Sequence, residues 1–198
     1  FKEANKKYYL QPIDKTVMNN HIGVSTLAFT NDNYLVIRKQ NANSQQNIKK
    51  YVPTGSGSCD WTDIRKKSLL TTIEFAMKRE LWEENGGKEI TYRIEDIGTT
   101  KVLGFFRWLR RGGKPEFVGV TKLNYSLNQL NPDQTELIDT NNIGVADTFY
   151  LETVDELPRV IEEIKAIGDI SLPLEMCLDA LEHYYQERTN ELKTLLEL

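Results

Sequence analysis

The stretch Arg79-Glu80-Leu81-Trp82-Glu83-Glu84-Asn85-Gly86 decides how this chain is read, because it is a helix end that breaks its own pattern. A helix is predicted from about Ser68 to Asn85, with the paired glycines Gly86-Gly87 as its stop. On a wheel turning about 100° per residue, Leu69, Leu70, Ile73, Ala76, Met77 and Leu81 form one apolar arc. Glu80, Glu83 and Glu84 fall within or beside that arc, at the i, i+3 and i+4 spacing that gathers side chains on a single face. They stand in the last turns, where the macrodipole disfavours acids by about 0.3–1 kcal/mol each, and like charges so placed repel one another. An arrangement unfavourable on several counts asks for a compensating cation, and oxygen-rich clusters suit hard divalent ions such as Mg²⁺ or Mn²⁺. The plainer reading leaves the acids in solvent, partnered by Lys78 and Arg79. Spacing alone leaves both open.

Outward from the helix, residues 22–37 read as a β-hairpin. Val24, Thr26, Ala28 and Thr30 alternate with Gly23, Ser25, Leu27 and Phe29, Asn31-Asp32-Asn33 supplies the turn, and Tyr34-Leu35-Val36-Ile37 follows. Residues 40–50 are rich in Asn and Gln without periodicity, hence a surface loop. Tyr51-Val52-Pro53 leads into Thr54-Gly55-Ser56-Gly57-Ser58, a loop of small residues that lets backbone N–H groups approach a phosphate. Beyond the helix, strands are predicted over about 97–110 and 116–125, joined by Arg111-Gly112-Gly113-Lys114-Pro115, and another over 145–152. After Asp155 the chain reads helical to about Ile167, and again from Leu174 towards Leu198. Leu178, Leu181, Tyr185, Leu192 and Leu195 form the packing stripe of the last helix. Residues 1–19 are a polar lead-in of unspecified structure, anchored at most by Tyr8, Tyr9, Leu10 and Ile13. The order of elements implies an α+β class, a mixed sheet with helices on it.

Composition excludes more than it suggests. The chain has 198 residues with 25 basic and 29 acidic side chains, a formal charge of −4, 39% hydrophobic and 27% charged residues. That is an ordinary folded domain rather than a disordered chain. No apolar run approaches the ~18 residues of a membrane span, and the acidic balance gives no general argument for nucleic-acid binding. Cys59 and Cys177 form neither a zinc set nor a disulfide framework, which fits a reducing cytoplasm. The chain opens on Phe1 without an initiator Met, so it reads as a fragment of a longer protein or as a chain whose first residues are missing.

The run Arg79-Glu80-Leu81-x-Glu83-Glu84-x-Gly86 resembles the second half of the Nudix box, G-x5-E-x7-R-E-U-x-E-E-x-G-U with U apolar. Arg38, at the end of the second hairpin strand, resembles an Arg common there in the family. The resemblance extends over roughly residues 20–150 and implies the Nudix α/β/α sandwich, with extra C-terminal helices over about 155–198. The domain would then run from 20 to 198. The first half of the box departs from the pattern. Counting back from Arg79 puts Arg65 where the family has Gly and Thr71 where it has Glu, and Gly87 replaces the final apolar residue. In the family that first Glu helps orient the Arg or the metal cluster. Glu74 is a doubtful substitute, a quarter turn from the other acids. Residues 54–61 stand where the family has a Pro-Gly-Gly turn, and 60–68 form an extension before the helix.

The resemblance implies hydrolysis of a diphosphate linkage in a nucleoside diphosphate joined to another group. Glu80, Glu83 and Glu84 map onto the family's helix carboxylates as ligands of Mg²⁺ or Mn²⁺, with Glu83 and Glu84 also in catalytic roles. Arg79 would hold the acids in register by forking onto a carboxylate. Arg38, Gly55, Ser56 and Gly57 would meet the substrate. Glu116 is the candidate for the further carboxylate the family supplies after the helix, with Asp133 and Glu136 as competitors. Lys101, Arg107, Arg110, Arg111 and Lys114 would either meet phosphates or form a solvated strand face. Trp61, Trp82, Phe105, Phe106 and Trp108 would stack a base or fill the core. His21 and His183 have no assigned role, and Cys59 lacks the His partner of a thiol nucleophile.

Three functions fit these residues. The first is the metal-dependent hydrolase, with a nucleotide-type small molecule as partner, in the cytoplasm, and a homodimer through the long terminal helix as an allowed assembly. The second is a catalytically weak or inactive Nudix-fold module that binds a nucleotide or ADP-ribose-like ligand within a larger protein. The third is an interaction domain whose acidic helix end is simply solvated.

Overall fold

Every residue from Gly23 to Phe29 is buried, because this segment has strands on both edges and helices on both faces. The computed structural model describes residues 2–4, 7–16, 21–40, 50–85, 93–130 and 147–198. Its strands are β1 (Lys2–Ala4), β2 (Lys7–Tyr9), β3 (Gly23–Phe29), β4 (Tyr34–Lys39), β5 (Tyr51–Val52), β6 (Gly55–Ser58), β7 (Gly98–Trp108), β8 (Lys114–Leu123) and β9 (Asp147–Tyr150). Its helices are α1 (Leu69–Glu84), α2 (Leu157–Ala166) and α3 (Leu172–Leu196). The lead-in contains the β1–β2 antiparallel ribbon and a 3₁₀ turn at Ile13–Lys15.

β3 runs parallel to β8 along one edge, from Gly23↔Glu116 to Phe29↔Lys122. Its other edge is shared. β6 takes the first part, antiparallel, from Gly23↔Ser58 to Thr26↔Gly55, and β4 takes the end at Ala28↔Val36 and Phe29↔Leu35. Between the two partners sits Thr54, whose hydroxyl accepts from the Ala28 N–H at 2.9 Å and donates to the Val36 carbonyl. β9 and β5 extend the sheet beyond β4, and β7 pairs antiparallel with β8 on the far side. The β3–β4 hairpin turns as predicted, with Asn33 at φ 69°, a left-handed position that Asn tolerates better than most residues.

Alternation divides the side chains between two layers. Val24 and the half-buried Phe117 pack with Ile73, Ala76 and Met77 of α1. Ala28 packs with Leu81, Ile97, Leu123 and Tyr125 on that face. On the opposite face Leu27, Phe29, Leu35, Ile37, Val118 and Val120 meet α2 and α3 through Val160, Ile164, Leu174, Leu178 and Leu181. The result is an α/β/α sandwich on a mixed sheet, as predicted. α3 continues across a non-helical residue, Arg188, and its last turns still bury Leu192 and Leu196. Among the described residues no helix is long and apolar enough to cross a membrane.

Two expectations shift. Leu69 and Leu70 belong to the apolar arc of α1 by periodicity, yet they are 60% and 51% exposed, because the first turn overhangs the layer that Ile73 and Met77 meet. The expected glycine-serine loop is strand β6. The Gly86-Gly87 stop lies outside the described residues; α1 ends at Glu84 with Asn85 as its cap.

Candidate active site

β6 lies against α1, and the fit is one of pitch. Two residues of a strand advance about 6.8 Å and four residues of a helix about 6 Å, so a strand and a helix side by side can match at those intervals. Here they do. The N–H of Ser56 donates to Glu84 Oε2 at 3.0 Å, and the N–H of Ser58 donates to Glu80 Oε1 at 3.0 Å. Both N–H groups point away from β3, so the outer edge of β6 is occupied by two carboxylates one helical turn apart. The approach depends on glycine: a Cβ on Gly57 would stand 2.2 Å from the Glu80 carboxylate, and one on Gly55 2.8 Å from Leu81 Cα. Gly55, Ser56 and Gly57 therefore position the acids. The N–H of Ser56, expected to meet substrate, is already used by Glu84.

Arg79 is the hub beside them. Its Nε and Nη2 fork onto Asp63 Oδ1 and Oδ2 at 2.8 and 2.9 Å. Nη2 also reaches the Ser58 carbonyl at 2.7 Å and Glu80 Oε1 at 3.1 Å, while Nη1 holds Glu83 Oε2 at 2.9 Å. The hydrogen bonds to Asp63 raise the guanidinium pKa against the opposing effect of burial, and the charges of Glu80, Asp63 and Glu83 add to the rise. Asp63 is fully buried and sits on the 3₁₀ turn Trp61–Asp63, where its side chain also accepts the Asp60 N–H at 2.7 Å. The carboxylate onto which Arg79 forks thus comes from the extension before the helix. Thr71 instead closes the capping box with Ser68 at the start of α1. Sequence reasoning missed Asp63. The only signal was an acid inside an otherwise unexplained insertion.

Burial raises the Glu80 carboxyl above its usual range, while Arg79 and the Ser58 N–H pull it down. Glu83 is different: its side chain is 47% exposed and tied to Arg79. Among the described residues no three His, Cys, Asp or Glu side chains are grouped to hold a metal, so the expected trio is not a ready ligand set. Glu80 and Glu84 do fit a hard divalent ion. They are two carboxylates held one helical turn apart, and Mg²⁺ is usually bound by one or two carboxylates with waters and substrate phosphates.

Arg38 is only 5% exposed. Its Nη2 donates to Asn85 Oδ1, while Nε and Nη1 have no hydrogen-bond partner among the described residues. Burial lowers its pKa to about 10, against the attraction of Glu84 and Tyr125. Asn85 in turn donates to the carbonyls of Leu81 at 2.7 Å and Thr54 at 3.2 Å. Rather than standing in a cleft to meet substrate, Arg38 supports the end of α1 from inside, behind Glu84.

Glu116 is not part of this site. Along β8 it shares the face of Val118 and Val120, which meet α2 and α3, while α1 lies across Phe117. It is 4% exposed, paired with the equally buried Lys114 at 2.8 Å, and so close to Gly23 that a Cβ there would stand 1.8 Å from Oε2. Its competitors Asp133 and Glu136 lie outside the described residues. The basic stretch is largely structural: Lys101 pairs with Glu191, Arg107 donates to the Gly113 and Gln11 carbonyls, and Arg111 lies over Trp108. Phe106 and Trp82 pack on the two cores, and Phe105 tilts against Phe117. His183 is exposed on α3. The Cys59 thiol is raised by burial and by Asp63, which disfavours the thiolate a nucleophile needs.

No protein-family model and no curated protein matches this sequence. Among solved structures the chain is similar to a Nudix hydrolase from Alicyclobacillus acidocaldarius, at 10% identity and a TM-score of 0.51, over 84% of this chain and 92% of that one. It is also similar to a MutT protein from Methanosarcina mazei Go1, at 16% identity and a TM-score of 0.47, over 86% and 96% of the two chains. A Nudix hydrolase from Nitrosomonas europaea gives 16% identity and a TM-score of 0.46 over 83% and 89%.

Proposed function

We propose that this chain, which has the fold of the Nudix hydrolases, is a metal-dependent hydrolase that cleaves a diphosphate linkage in a nucleoside diphosphate joined to another group. The observation that carries the reading is the pair Glu80 and Glu84, fixed one turn apart by the N–H groups of β6. A Mg²⁺ or Mn²⁺ ion held by these two acids would neutralise diphosphate oxygens and lower the pKa of a bound water. The residues of the chain do the rest. Glu84 is held by Ser56 near the buried guanidinium of Arg38, and it is the carboxylate placed to accept a proton from the attacking water. Arg79 keeps Glu80 in register and Asp63 keeps Arg79 in place. Glu83, on the outer side of Arg79, organises rather than binds unless it leaves that contact. The reading includes a cytoplasmic setting and a homodimer through α3.

Release of phosphate products from nucleoside diphosphate sugars, ADP-ribose and dinucleoside polyphosphates, with Mg²⁺ and with a chelator, tests this function. Glu84→Gln is expected to abolish turnover while leaving the circular dichroism spectrum intact. Unchanged turnover in that variant would remove the mechanism. A second reading, a nucleotide-binding module with little or no turnover, is favoured by one observation: the acids beyond Glu80 and Glu84 are committed elsewhere, Glu83 to Arg79 and Glu116 to Lys114. Binding of the same nucleotides without hydrolysis would select it.

A further inference from the structure

Trp61 is 83% exposed, more than any other large apolar side chain among the described residues. An indole in water forgoes a large burial, so its place in the fold asks for a reason. It is not at a loose loop tip. The Trp61 backbone N–H donates to the Asp60 side chain, the Asp60 N–H is held by Asp63, and Arg79 of α1 forks onto Asp63. The turn that carries the ring is thus bolted to the helix that carries the acids.

The ring also has something to face. A pocket of about 430 Å³ is lined by Trp61, Cys59 and His21 together with Ser58, Arg79 and Glu80. Glu80 and Asp60 line it along with Trp61. Ser58 bonds Glu80 and Ser56 bonds Glu84, so the chain running back from Trp61 along β6 meets the two acids in that order. A molecule with its diphosphate at Glu80 and Glu84 would place its next group in this pocket.

We propose that Trp61 is the stacking platform for the nucleobase of the substrate. The inference rests on the diphosphate-hydrolase reading for the position of the phosphates, but not on turnover itself. Stacking uses the π-face that every base has, so this contact selects for a flat aromatic ring and discriminates weakly among bases.

Calorimetric titration of the intact protein with ADP and with inorganic pyrophosphate, both in Mg²⁺, tests the assignment in wild type, Trp61→Ala and Trp61→Phe. Loss of a stacked base costs roughly tenfold or more in affinity. ADP is expected to bind Trp61→Ala about tenfold more weakly and Trp61→Phe nearly as well as wild type, with pyrophosphate affinity the same in all three. ADP is also expected to quench tryptophan emission in wild type and to leave the remaining emission of Trp61→Phe, from Trp82 and Trp108, unquenched. Equal losses for ADP and pyrophosphate, unchanged ADP binding in Trp61→Ala, or no ADP binding by the wild type would overturn the proposal. Selective loss of ADP binding in a protein that hydrolyses nothing would leave the platform standing and remove the enzyme.

Discussion

Both oxygens of Asp63 grip the Nε and Nη2 edge of Arg79, at 2.8 and 2.9 Å, although the acid lies outside the helix that carries the arginine. A planar guanidinium held at two points cannot swivel, so its remaining contacts with Glu80 and Glu83 inherit a fixed geometry. The carboxylate that organises the acidic helix end sits on the turn before the helix.

Asp63→Asn removes the charge from a fully buried partner and leaves the guanidinium short of an acceptor. Breaking such a pair costs about 3 kcal/mol. Urea unfolding should show a loss of that order, and activity at a temperature where the variant is folded should fall because Glu80 loses its register.

Gly57→Ala puts a methyl group where the Glu80 carboxylate stands, 2.2 Å from it. Either β6 or the acid must move. A destabilisation of about 1–3 kcal/mol is expected, as for overpacking elsewhere. A larger fall in activity than in Asp63→Asn, measured at matched folded fractions, would place the clamp on Glu80 above the grip on Arg79 in importance.

Glu116→Gln separates a structural acid from a catalytic one. The substitution leaves the Lys114 ammonium buried without its partner, so stability should drop by about 3 kcal/mol in denaturant titration. With the ion pair on the sheet face away from α1, kcat of the folded variant is expected within about twofold of wild type. A loss of several orders of magnitude would return Glu116 to the reaction.

Glu156 gives a pH signature far from the site. It accepts the N–H groups of Glu152 at 2.6 Å and Thr153 at 3.3 Å, which hold its carboxyl below the usual range. A lowered folded pKa contributes stability that is fully present above the unfolded value, about 4.3, and is lost as pH falls through the folded one. Glu156→Gln should therefore lower Tm at pH 7, and the gap to wild type should narrow in thermal melts taken progressively below pH 4.

The hairpin, the helix and the unusual face of Glu80 and Glu84 were all readable, since each rests on local spacing. So was the forking role of Arg79, through the resemblance. Its partner was not, because nothing local tells an acid in an insertion that it will meet a helix sixteen residues on. Glu116 was misplaced for a different reason. β8 lies between β3 and β7 with both faces covered, so Phe117 and Val118 are both apolar and alternation does not mark which face an adjacent acid will share. Leu69 and Leu70 show that periodicity gives a helix its face but not the length of it that finds a neighbour.

Thr54 has a reach beyond its size. By bridging Ala28 and Val36 with one hydroxyl, it acts as a splice where β3 exchanges one neighbour for the other. A valine of nearly equal bulk would strand both backbone groups, and their simplest remedy is for β4 to zip one rung further along β3. Thr54 stands one residue before Gly55, where β6 begins beside β3, so the same hydroxyl that joins β3 to β4 also seats the entry of the strand whose N–H groups hold the two acids.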